Sequence, residues 1–184
     1  MFGQQKDSPH FDTERAYEFY KAEILGSVRS RSRWYEAYGF KNPRTTSVDW
    51  EVFGAVLLRQ RRSDNPYGHD LEQAEVKSCR PSGSSFEYQY YKKGGVAKLE
   101  QEHLINHVFI LHSDDYLDVT VYLVEGEVLK PLFDSWRDAL IANYTGGLRQ
   151  RYRKAVPKST VFQSGKLVLE IRAGELVSSG DSLS

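Results

Sequence analysis

The sequence predicts an α/β (α+β) fold, a single domain whose mixed central β-sheet is flanked by helices. Three observations lead to this prediction. The chain has 184 residues, of which 40% are hydrophobic, enough for one domain with a substantial core. Segments with the 3.6-residue period of amphipathic helices alternate with short apolar or alternating runs that are typical of strands. We find neither an internal repeat nor a linker, so residues 1–184 are expected to form one unit.

The N-terminal third of the chain is predicted to be mainly helical. Residues 12–25 carry an apolar stripe at helical spacing, and Gly26 is the expected end of that helix. An arginine-rich second helix is expected over residues 27–38. A further helix, residues 48–60, has Glu51 in its first turn, where a carboxylate interacts favourably with the helix dipole. Glu51 is also a candidate accessory metal ligand.

The remainder of the chain alternates strands with helices. Apolar or alternating runs predict four strands, and helical patterns lie between and after them. The strands are expected at residues 74–79, 86–91, 107–112 and 118–124, and the helices at residues 96–106 and 128–142. Residues 161–171 are typical of a hairpin around Gly165, and residues 177–184 predict a disordered tail.

Charge and cysteine content narrow the class of protein. Lys plus Arg and Asp plus Glu each number 25, so any basic surface must come from local segregation of charge. No apolar run approaches about 18 residues, and the N-terminus lacks the apolar stretch of a signal peptide, so we expect no membrane association. The single cysteine, Cys79, is compatible with a reducing cytoplasm, where we expect the protein to act.

Residues 67–79 contain the charged groups that point most directly to chemistry. On the predicted strand 74–79, side chains two residues apart share a face, so Glu75 and Lys77 point the same way. Unpaired buried charges are costly, so a strand that carries a carboxylate and an ammonium on one face needs a reason to do so. A divalent metal ion held by Asp70 and Glu75, with Lys77 beside it, would supply that reason.

This arrangement suits the cleavage of a phosphodiester bond. Mg²⁺ prefers oxygen ligands, and a bound ion activates water and neutralises charge on the leaving oxygen. Lys77 can donate a hydrogen bond to the attacking water. If residues 72–73 make a tight turn, the carboxylates of Asp70 and Glu75 lie about 5 Å apart. Asp64 is the alternative first carboxylate, and a surface strand with an ordinary ion pair is the alternative interpretation of the motif.

Two segments after this motif combine aromatic, polar and basic side chains in a way that favours nucleic-acid binding. Residues 84–91 mix tyrosines with serine and glutamine, and residues 148–158 hold five basic residues and no acidic one. Tyrosine-rich strands are also common in ordinary sheets, which is the alternative for the first segment. The candidate DNA-contacting residues are Ser84, Ser85, Tyr88, Tyr90, Lys92, Lys93, Arg149, Arg151, Arg153 and Lys154.

Signatures of several other enzyme classes are absent from the sequence. It contains no Gly-x-Ser-x-Gly, no P-loop and no Gly-x-Gly-x-x-Gly, which argues against a serine hydrolase, an NTPase and a dinucleotide enzyme. His103 and His107 are four residues apart, but Leu104 stands where a zinc hydrolase of that spacing carries a glutamate.

The order of these motifs resembles the PD-(D/E)XK nuclease superfamily, and within it the small dimeric type II restriction endonucleases. The common features are a capped helix with a glutamate, an aspartate, Glu-x-Lys on a strand, then a helix and two apolar strands. Residues 68–78 (GHDLEQAEVKS) are similar to the catalytic hairpin of that family. The likeness continues weakly through residues 95–98, 107–112 and 132–137.

The resemblance implies Mg²⁺-dependent hydrolysis of both strands of double-stranded DNA by a homodimer, with Mn²⁺ as a substitute for Mg²⁺. Asp70, Glu75 and the carbonyl of Val76 would be the metal ligands, and Lys77 would position the attacking water. A restriction-endonuclease-like fold would follow, with residues 46–172 as the catalytic core and DNA-binding region.

A palindromic DNA site calls for two-fold symmetry, so the helical region 12–40, and within it the helix 12–25, is the candidate dimer contact. Type II restriction endonucleases act in the prokaryotic cytoplasm, which is therefore the implied location. Three alternatives stay open. The first is a DNA repair or junction-resolving nuclease, and the second is a non-catalytic DNA-binding protein in which Glu75 and Lys77 form a structural pair. The third is a metabolic α/β protein whose basic segment binds an acidic small molecule. The base sequence that such a protein would recognise is not indicated by any residue.

Overall fold

The structure of the protein is a computed structural model that describes residues 10–38, 46–65, 67–83, 85–146 and 151–179. It contains seven short strands within these ranges. They are β1 (Ala74–Cys79), β2 (Ser85–Tyr91), β3 (Asn106–His112), β4 (Val119–Glu125), β5 (Arg151–Pro157), β6 (Lys166–Arg172) and β7 (Glu175–Ser179). Five of them form a central sheet in the order β1-β3-β4-β6-β7, and β2 pairs with β5 as a separate two-stranded ribbon. The predicted strand 86–91 therefore lies outside the central sheet.

The central sheet is mixed, since β1 and β3 are parallel and its other pairs are antiparallel. Parallel pairing of β1 with β3 requires a crossover, and the chain makes it through β2 and a helix. β1 is consequently an edge strand, paired with β3 on one side only. On the side of β1 that β3 does not pair with, the backbone N–H of Val76 donates to Asp70 in the turn before the strand.

Helices pack against both faces of the central sheet. They are α1 (Thr13–Phe19), α2 (Gly26–Ala37), α3 (Ser47–Leu58), α4 (Gly95–Gln101), α5 (Gly126–Thr145) and α6 (Lys158–Ser164), with a π-helical segment at Tyr20–Leu25 and a 3₁₀ turn at Glu102–Leu104. The predicted single α/β domain with a mixed central sheet and flanking helices is confirmed. Within the described ranges, no helix is both long and apolar enough to span a membrane.

Two apolar clusters form the core, one on each face of the sheet. The first joins α1, α2 and α3 to one face of β1 and β3, where Val76 and Val108 are buried. The second joins α4, α5 and the β2–β5 ribbon to the opposite face, where Phe109 is buried. Because Glu75 pairs in register with His107 and Lys77 with Phe109, the charged face of β1 belongs to this second side.

Three predicted boundaries are wrong. Gly26 does not end the first helix, because its backbone is helical (φ −61°, ψ −46°) and the chain continues directly into α2. Gly165 is not the turn of a hairpin: it separates α6 from β6, and the closing hairpin joins β6 to β7 at Gly174, which has a φ of 83°. Val177 lies in β7 rather than in a disordered tail. Residues 180–184 of that predicted tail are outside the described ranges.

Helix α3 packs unusually close to the edge strand β1. The helix begins in a capping box, in which the backbone N–H of Thr46 donates to the carboxylate of Asp49 at 2.7 Å, and it ends at Arg59 with a φ of 53°. Gly54 faces β1, and a Cβ at this position would lie 2.7 Å from a methyl carbon of Val76. The missing side chain of Gly54 therefore allows α3 to approach the strand that carries the motif.

Replacing Gly54 with valine is expected to lower the free energy of unfolding by about 2 kcal/mol, because the new side chain would overlap Val76. Urea denaturation followed by circular dichroism measures this change. Val52, which is 40% exposed on the same helix, provides the control. The Val52→Ala protein should differ from the wild type by less than about 0.5 kcal/mol. A Gly54→Val protein of wild-type stability would contradict the close packing of α3 on β1.

Candidate active site

A polar cleft of about 430 Å³ opens between α3, β1 and β2. It is lined on one side by the first turns of α3, on its floor by β1, and on the other side by the outward face of β2. The charged side chains that line it are Glu51, Asp70, Glu75, Lys77, Glu87 and Lys98. The structure therefore places all three predicted catalytic residues and the predicted accessory glutamate in one cleft.

A tight turn before β1 brings Asp70 and Glu75 together. The backbone N–H of Leu71 donates to the carbonyl of Ala74 at 2.9 Å, which closes the turn across residues 72–73. The N–H of Asp70 donates to Glu75 Oε2, and the N–H of Val76 donates to Asp70 Oδ2, each at 3.0 Å. These reciprocal bonds fix both carboxylates relative to the edge of the sheet. Asp64, the alternative first carboxylate, is exposed in the preceding loop.

The ammonium of Lys77 lies between the two carboxylates. Its Nζ is 2.5 Å from Glu75 Oε1 and 3.2 Å from Asp70 Oδ2, so both accept hydrogen bonds from it. Lys98 of α4 donates to the same Glu75 oxygen at 2.7 Å. Two carboxylates and two ammonium groups thus form one continuous network at the floor of the cleft.

Burial and charge together set the ionisation of this network. Burial by itself would raise the pKa of Glu75, but the ammonium groups of Lys77 and Lys98 hold that pKa well below its usual range. Burial would likewise lower the pKa of Lys77, but the charges of Glu75 and Asp70 raise it. At neutral pH Glu75 is therefore a carboxylate and Lys77 an ammonium. Glu51 differs, because burial and the nearby charge of Asp70 raise its pKa.

A second group of polar side chains lies buried next to this network. Glu102 is fully buried and His69 nearly so, and neither side chain has a hydrogen-bond partner of normal length among the described residues. His69 Nδ1 is 3.8 Å from Glu75 Oε2 and 3.6 Å from Glu102 Oε2. Burial, followed by the charge of Glu75, raises the pKa of Glu102 well above its usual value.

His107 is held in this region as a neutral imidazole. Its Nε2 lies 2.9 Å from the carbonyl oxygen of Glu102 and its Nδ1 lies 2.7 Å from the hydroxyl of Tyr88. Since a carbonyl only accepts, Nε2 carries the proton and Nδ1 accepts from Tyr88. Burial lowers the pKa of His107 to about 4, which agrees with this assignment.

The sequence did not identify Lys98, Glu102 or His69 as parts of the site. Lys98 and Glu102 are four residues apart, which predicts that they share one side of a helix, and this spacing was the available signal. His69 adjoins Asp70 in the motif itself. Nothing in either pattern showed that α4 packs beside β1, because that contact depends on the crossover between β1 and β3.

The two segments predicted to bind DNA pair with each other as the β2–β5 ribbon. Ser85, which lines the cleft, pairs with Pro157 at one end of the ribbon, and Tyr91 pairs with Arg151 at the other. Lys92 and Lys93 follow β2 and are exposed. Ser84 and Arg149 lie outside the described residues.

Alternation along β2 contradicts the expected exposure of Tyr88 and Tyr90. Both side chains are fully buried in the second core cluster, while Gln89 and Tyr91 line the cleft. The physical reason is the two-residue period of a strand, which sends every second side chain into the core. Tyr88 and Tyr90 therefore support the ribbon from within, and its cleft-facing positions are those of Glu87, Gln89 and Tyr91.

The basic residues of β5 divide between the two faces of the ribbon. Residues directly opposite in an antiparallel pair share a face, so Arg153 sides with Gln89, and Lys154 sides with Tyr88. Arg153 Nε lies 3.7 Å from Glu87 Oε1, and Arg151 stacks on the ring of Tyr91, in agreement with this division. Arg151 and Arg153 thus extend the cleft side of the ribbon, and Lys154 does not.

Comparisons with protein families and with curated sequences found no match, so the site is interpreted from its own geometry. No protein-family model matches the chain, and no similar protein is found among curated sequences. The cleft contains two carboxylates that could share a cation and an ammonium group between them. Its polar side, formed by β2, continues to Arg151 and Arg153 of β5.

We expect the free energy of unfolding to fall as the pH drops from about 6.5 toward 4, partly because of His107. With a folded pKa of about 4, below the ordinary value of 6.5, the unfolded chain binds a proton that the folded chain does not. The stabilisation is therefore present above pH 6.5 and is lost as the pH falls, by up to about 3 kcal/mol.

The His107→Gln protein isolates this contribution, since glutamine can donate to the Glu102 carbonyl and accept from Tyr88. Urea denaturation at a series of pH values should show a shallower dependence for this variant than for the wild type. Replacing the exposed His10 with glutamine is the control and should leave the wild-type dependence intact. Identical pH profiles for His107→Gln and wild type would disprove the assignment.

Proposed function

We propose that this protein is a divalent-metal-dependent endonuclease of the PD-(D/E)XK type that cuts double-stranded DNA. The observation that carries the proposal is the convergence of the Asp70 and Glu75 carboxylates on the ammonium of Lys77 at the floor of a polar cleft. A type II restriction endonuclease that acts as a homodimer is the specific form we favour. A restriction-endonuclease-like core, running from α3 through β1 and α4 to β3 and β4, forms part of this proposal.

The carboxylate pair fits a hard divalent cation. Both carboxylates already contact one cationic atom, Lys77 Nζ, so their oxygens are within reach of a shared ion. Carboxylate oxygens are the ligands that Mg²⁺ and Mn²⁺ favour, and one or two suffice when a phosphate supplies others. Asp70 and Glu75 would hold the ion, and Val76, whose carbonyl is the predicted third ligand, lines the same cleft. Glu51, across the cleft on α3, is the accessory candidate.

A bound ion would polarise the phosphate and stabilise charge on the leaving oxygen. Lys77, once its carboxylate partners bind the ion, donates a hydrogen bond to the attacking water and offsets charge that develops on the phosphate. Lys98 keeps Glu75 ionised and fixes its orientation through the bond to Oε1. Asp70 holds its position through the bond from the Val76 amide.

The β2–β5 ribbon is the surface that we propose for duplex binding. Its outward face begins in the cleft and continues through Gln89 and Tyr91 to Arg151 and Arg153, which gives groups for base edges next to groups for phosphates. Arginines bind phosphates strongly because of their planar, permanently charged guanidinium. Lys92 and Lys93, at the end of β2, extend this positive charge.

The homodimer follows from the proposed palindromic substrate. Residues 12–25 bury their apolar stripe within the core, where Tyr20 and Ile24 are fully buried. Exposed aromatic side chains of the N-terminal region lie instead at the C-terminal end of α2, where Trp34 stacks on Tyr38, the residue that follows the helix. We therefore place the proposed dimer contact on α2, within the predicted region 12–40.

The same ion pairs favour a second candidate function, a DNA-binding protein without catalysis. Lys77 and Lys98 fully engage Glu75 Oε1, as a structural network would. In that case the ribbon would bind DNA equally well in the presence of EDTA, and incubation with metal would leave the DNA intact.

Lys77→Ala is expected to reduce Mg²⁺-dependent cleavage at least about 100-fold, because it removes a donor aimed at charge in the transition state. The assay is agarose electrophoresis of plasmid and phage DNA, methylated and unmethylated, with Mg²⁺ and with EDTA. Circular dichroism verifies that the variant folds. Lys130→Ala, which alters an exposed lysine paired with Asp134 on α5, should cut like the wild type.

Discrete Mg²⁺-dependent bands from the wild type would support a sequence-specific endonuclease, and a smear would favour the repair or junction-resolving nuclease. Full activity of a folded Lys77→Ala protein would refute the catalytic role of Lys77. DNA left intact by the wild type on every template would refute the nuclease proposal and favour the non-catalytic alternative.

Arg153→Ala should weaken binding of duplex DNA at low salt and reduce the slope of log K against log[salt] by about 1, since one phosphate contact is lost. Lys154→Ala is the matched control, because it removes a neighbouring exposed cation from the opposite face of the ribbon. Fluorescence anisotropy with a labelled duplex, in Ca²⁺ or EDTA, measures the affinity and its salt dependence for both variants. Equal losses for the two variants would show that the face of the ribbon does not determine binding.

A further inference from the structure

We propose that His69, Glu75 and Glu102 form a separate binding site for a divalent transition metal ion of the Zn²⁺ class. Each residue offers one ligand atom, and these atoms all lie within 4.8 Å of one another. The site shares Glu75 with the proposed catalytic pair, but it adds a ring nitrogen and a buried carboxylate that the catalytic pair does not use. It rests on the geometry of these three side chains and not on the nuclease function.

The distances from His69 Nδ1 to the two carboxylates are close to those expected around an ion. His69 Nδ1 is 3.6 Å from Glu102 Oε2 and 3.8 Å from Glu75 Oε2, both beyond a normal hydrogen bond. Two ligands of a tetrahedral Zn²⁺ ion, with bonds of about 2.0–2.2 Å, lie about 3.4 Å apart. Both distances from His69 Nδ1 are therefore within a few tenths of an ångström of this separation, and the oxygens of Glu75 and Glu102 lie within 4.8 Å of each other.

Unsatisfied polar atoms point independently to a missing ligand. Both carboxylate oxygens of Glu102 and both ring nitrogens of His69 are buried and lack a hydrogen-bond partner of normal length among the described residues. Buried polar groups are almost always paired, and an unpaired carboxylate in the core is the costliest case. A cation between His69 and Glu102 would satisfy one atom of each.

The two carboxylate oxygens of Glu75 have different partners, and Oε2 is available to bind this ion. Oε1 accepts from Lys77 and Lys98, while Oε2 accepts only a backbone N–H, that of Asp70, among the hydrogen bonds of the described residues. Oε2 is also the oxygen that faces His69. One carboxylate can therefore take part in the lysine network and ligate an ion on its other side.

The donor set of the site indicates the class of ion that it would bind. An ion with a ring nitrogen among its ligands is expected to be a transition metal such as Zn²⁺, because imidazole suits Zn²⁺ better than it suits the hard Mg²⁺. Three protein ligands leave a coordination position for water.

The test uses the full chain, stripped with EDTA, and Co²⁺ as a spectroscopic probe that Zn²⁺ then displaces. We expect one Co²⁺ per chain with visible d–d absorption, and a rise in the thermal midpoint that EDTA reverses. Glu102→Gln and His69→Gln should each weaken Co²⁺ binding at least about tenfold. His103→Gln is the control, since it alters a histidine outside this triad that lies beside Glu127, and it should bind Co²⁺ like the wild type.

A wild-type chain that binds no Co²⁺, or a Glu102→Gln chain that binds it as tightly as the wild type, would overturn the proposal. Binding that Asp70→Asn abolishes and Glu102→Gln preserves would overturn it too, because the ion would then occupy the catalytic pair. If either triad variant is unfolded, the other decides the question, and the reversible Co²⁺-dependent stabilisation of the wild type gives a further measurement. DNA cleavage, assayed in parallel, tests the nuclease proposal independently: intact DNA with Co²⁺ bound would refute the nuclease and leave this site standing.

Discussion

The sharing of the Lys77 ammonium between Asp70 and Glu75 is the interaction on which the organisation of the site depends. Two carboxylates this close and this buried repel each other, and each loses hydration, so the pair persists only with positive charge beside it. The chain supplies that charge from β1 itself and from Lys98 of α4. The ion pair between Lys98 and Glu75 therefore links the position of α4 against the sheet edge to the ionisation of Glu75.

The local parts of this arrangement were accessible from sequence. Hydrophobic periodicity located β1, β3, β4 and α3 to within a few residues, because each pattern reflects a face packed on the core. The strand period also placed Glu75 and Lys77 on one face, and their contact agrees with it. Glycine was less informative, since Gly26 stays in a helix and Gly165 lies outside the closing hairpin: a glycine permits a turn without requiring one.

Contacts between residues far apart in the chain could not be predicted from one sequence. Whether Tyr88 faces a groove or the core depends on the direction of β2 relative to α5, and alternation alone gives two faces without saying which is inside. Lys98 and Glu102 lie near Glu75 only because β1 and β3 are parallel, so the connection between these strands must return past the edge of the sheet. Pairing of β2 with β5 likewise joins residues that are 60 to 72 positions apart in the sequence, from Tyr91 with Arg151 to Ser85 with Pro157.

The ribbon has a further consequence for how such a protein can diversify. Its two faces are chemically independent: one packs Phe86, Tyr88 and Tyr90 into the core, and the other presents Glu87 and Gln89 to the cleft. The buried aromatic side chains belong to the inner face, and the lysine network belongs to β1 and α4, so substitutions of Glu87 and Gln89 remove no contact of either. In the proposed endonuclease, the residues for DNA binding would therefore be separate from the catalytic residues and from those that support the ribbon.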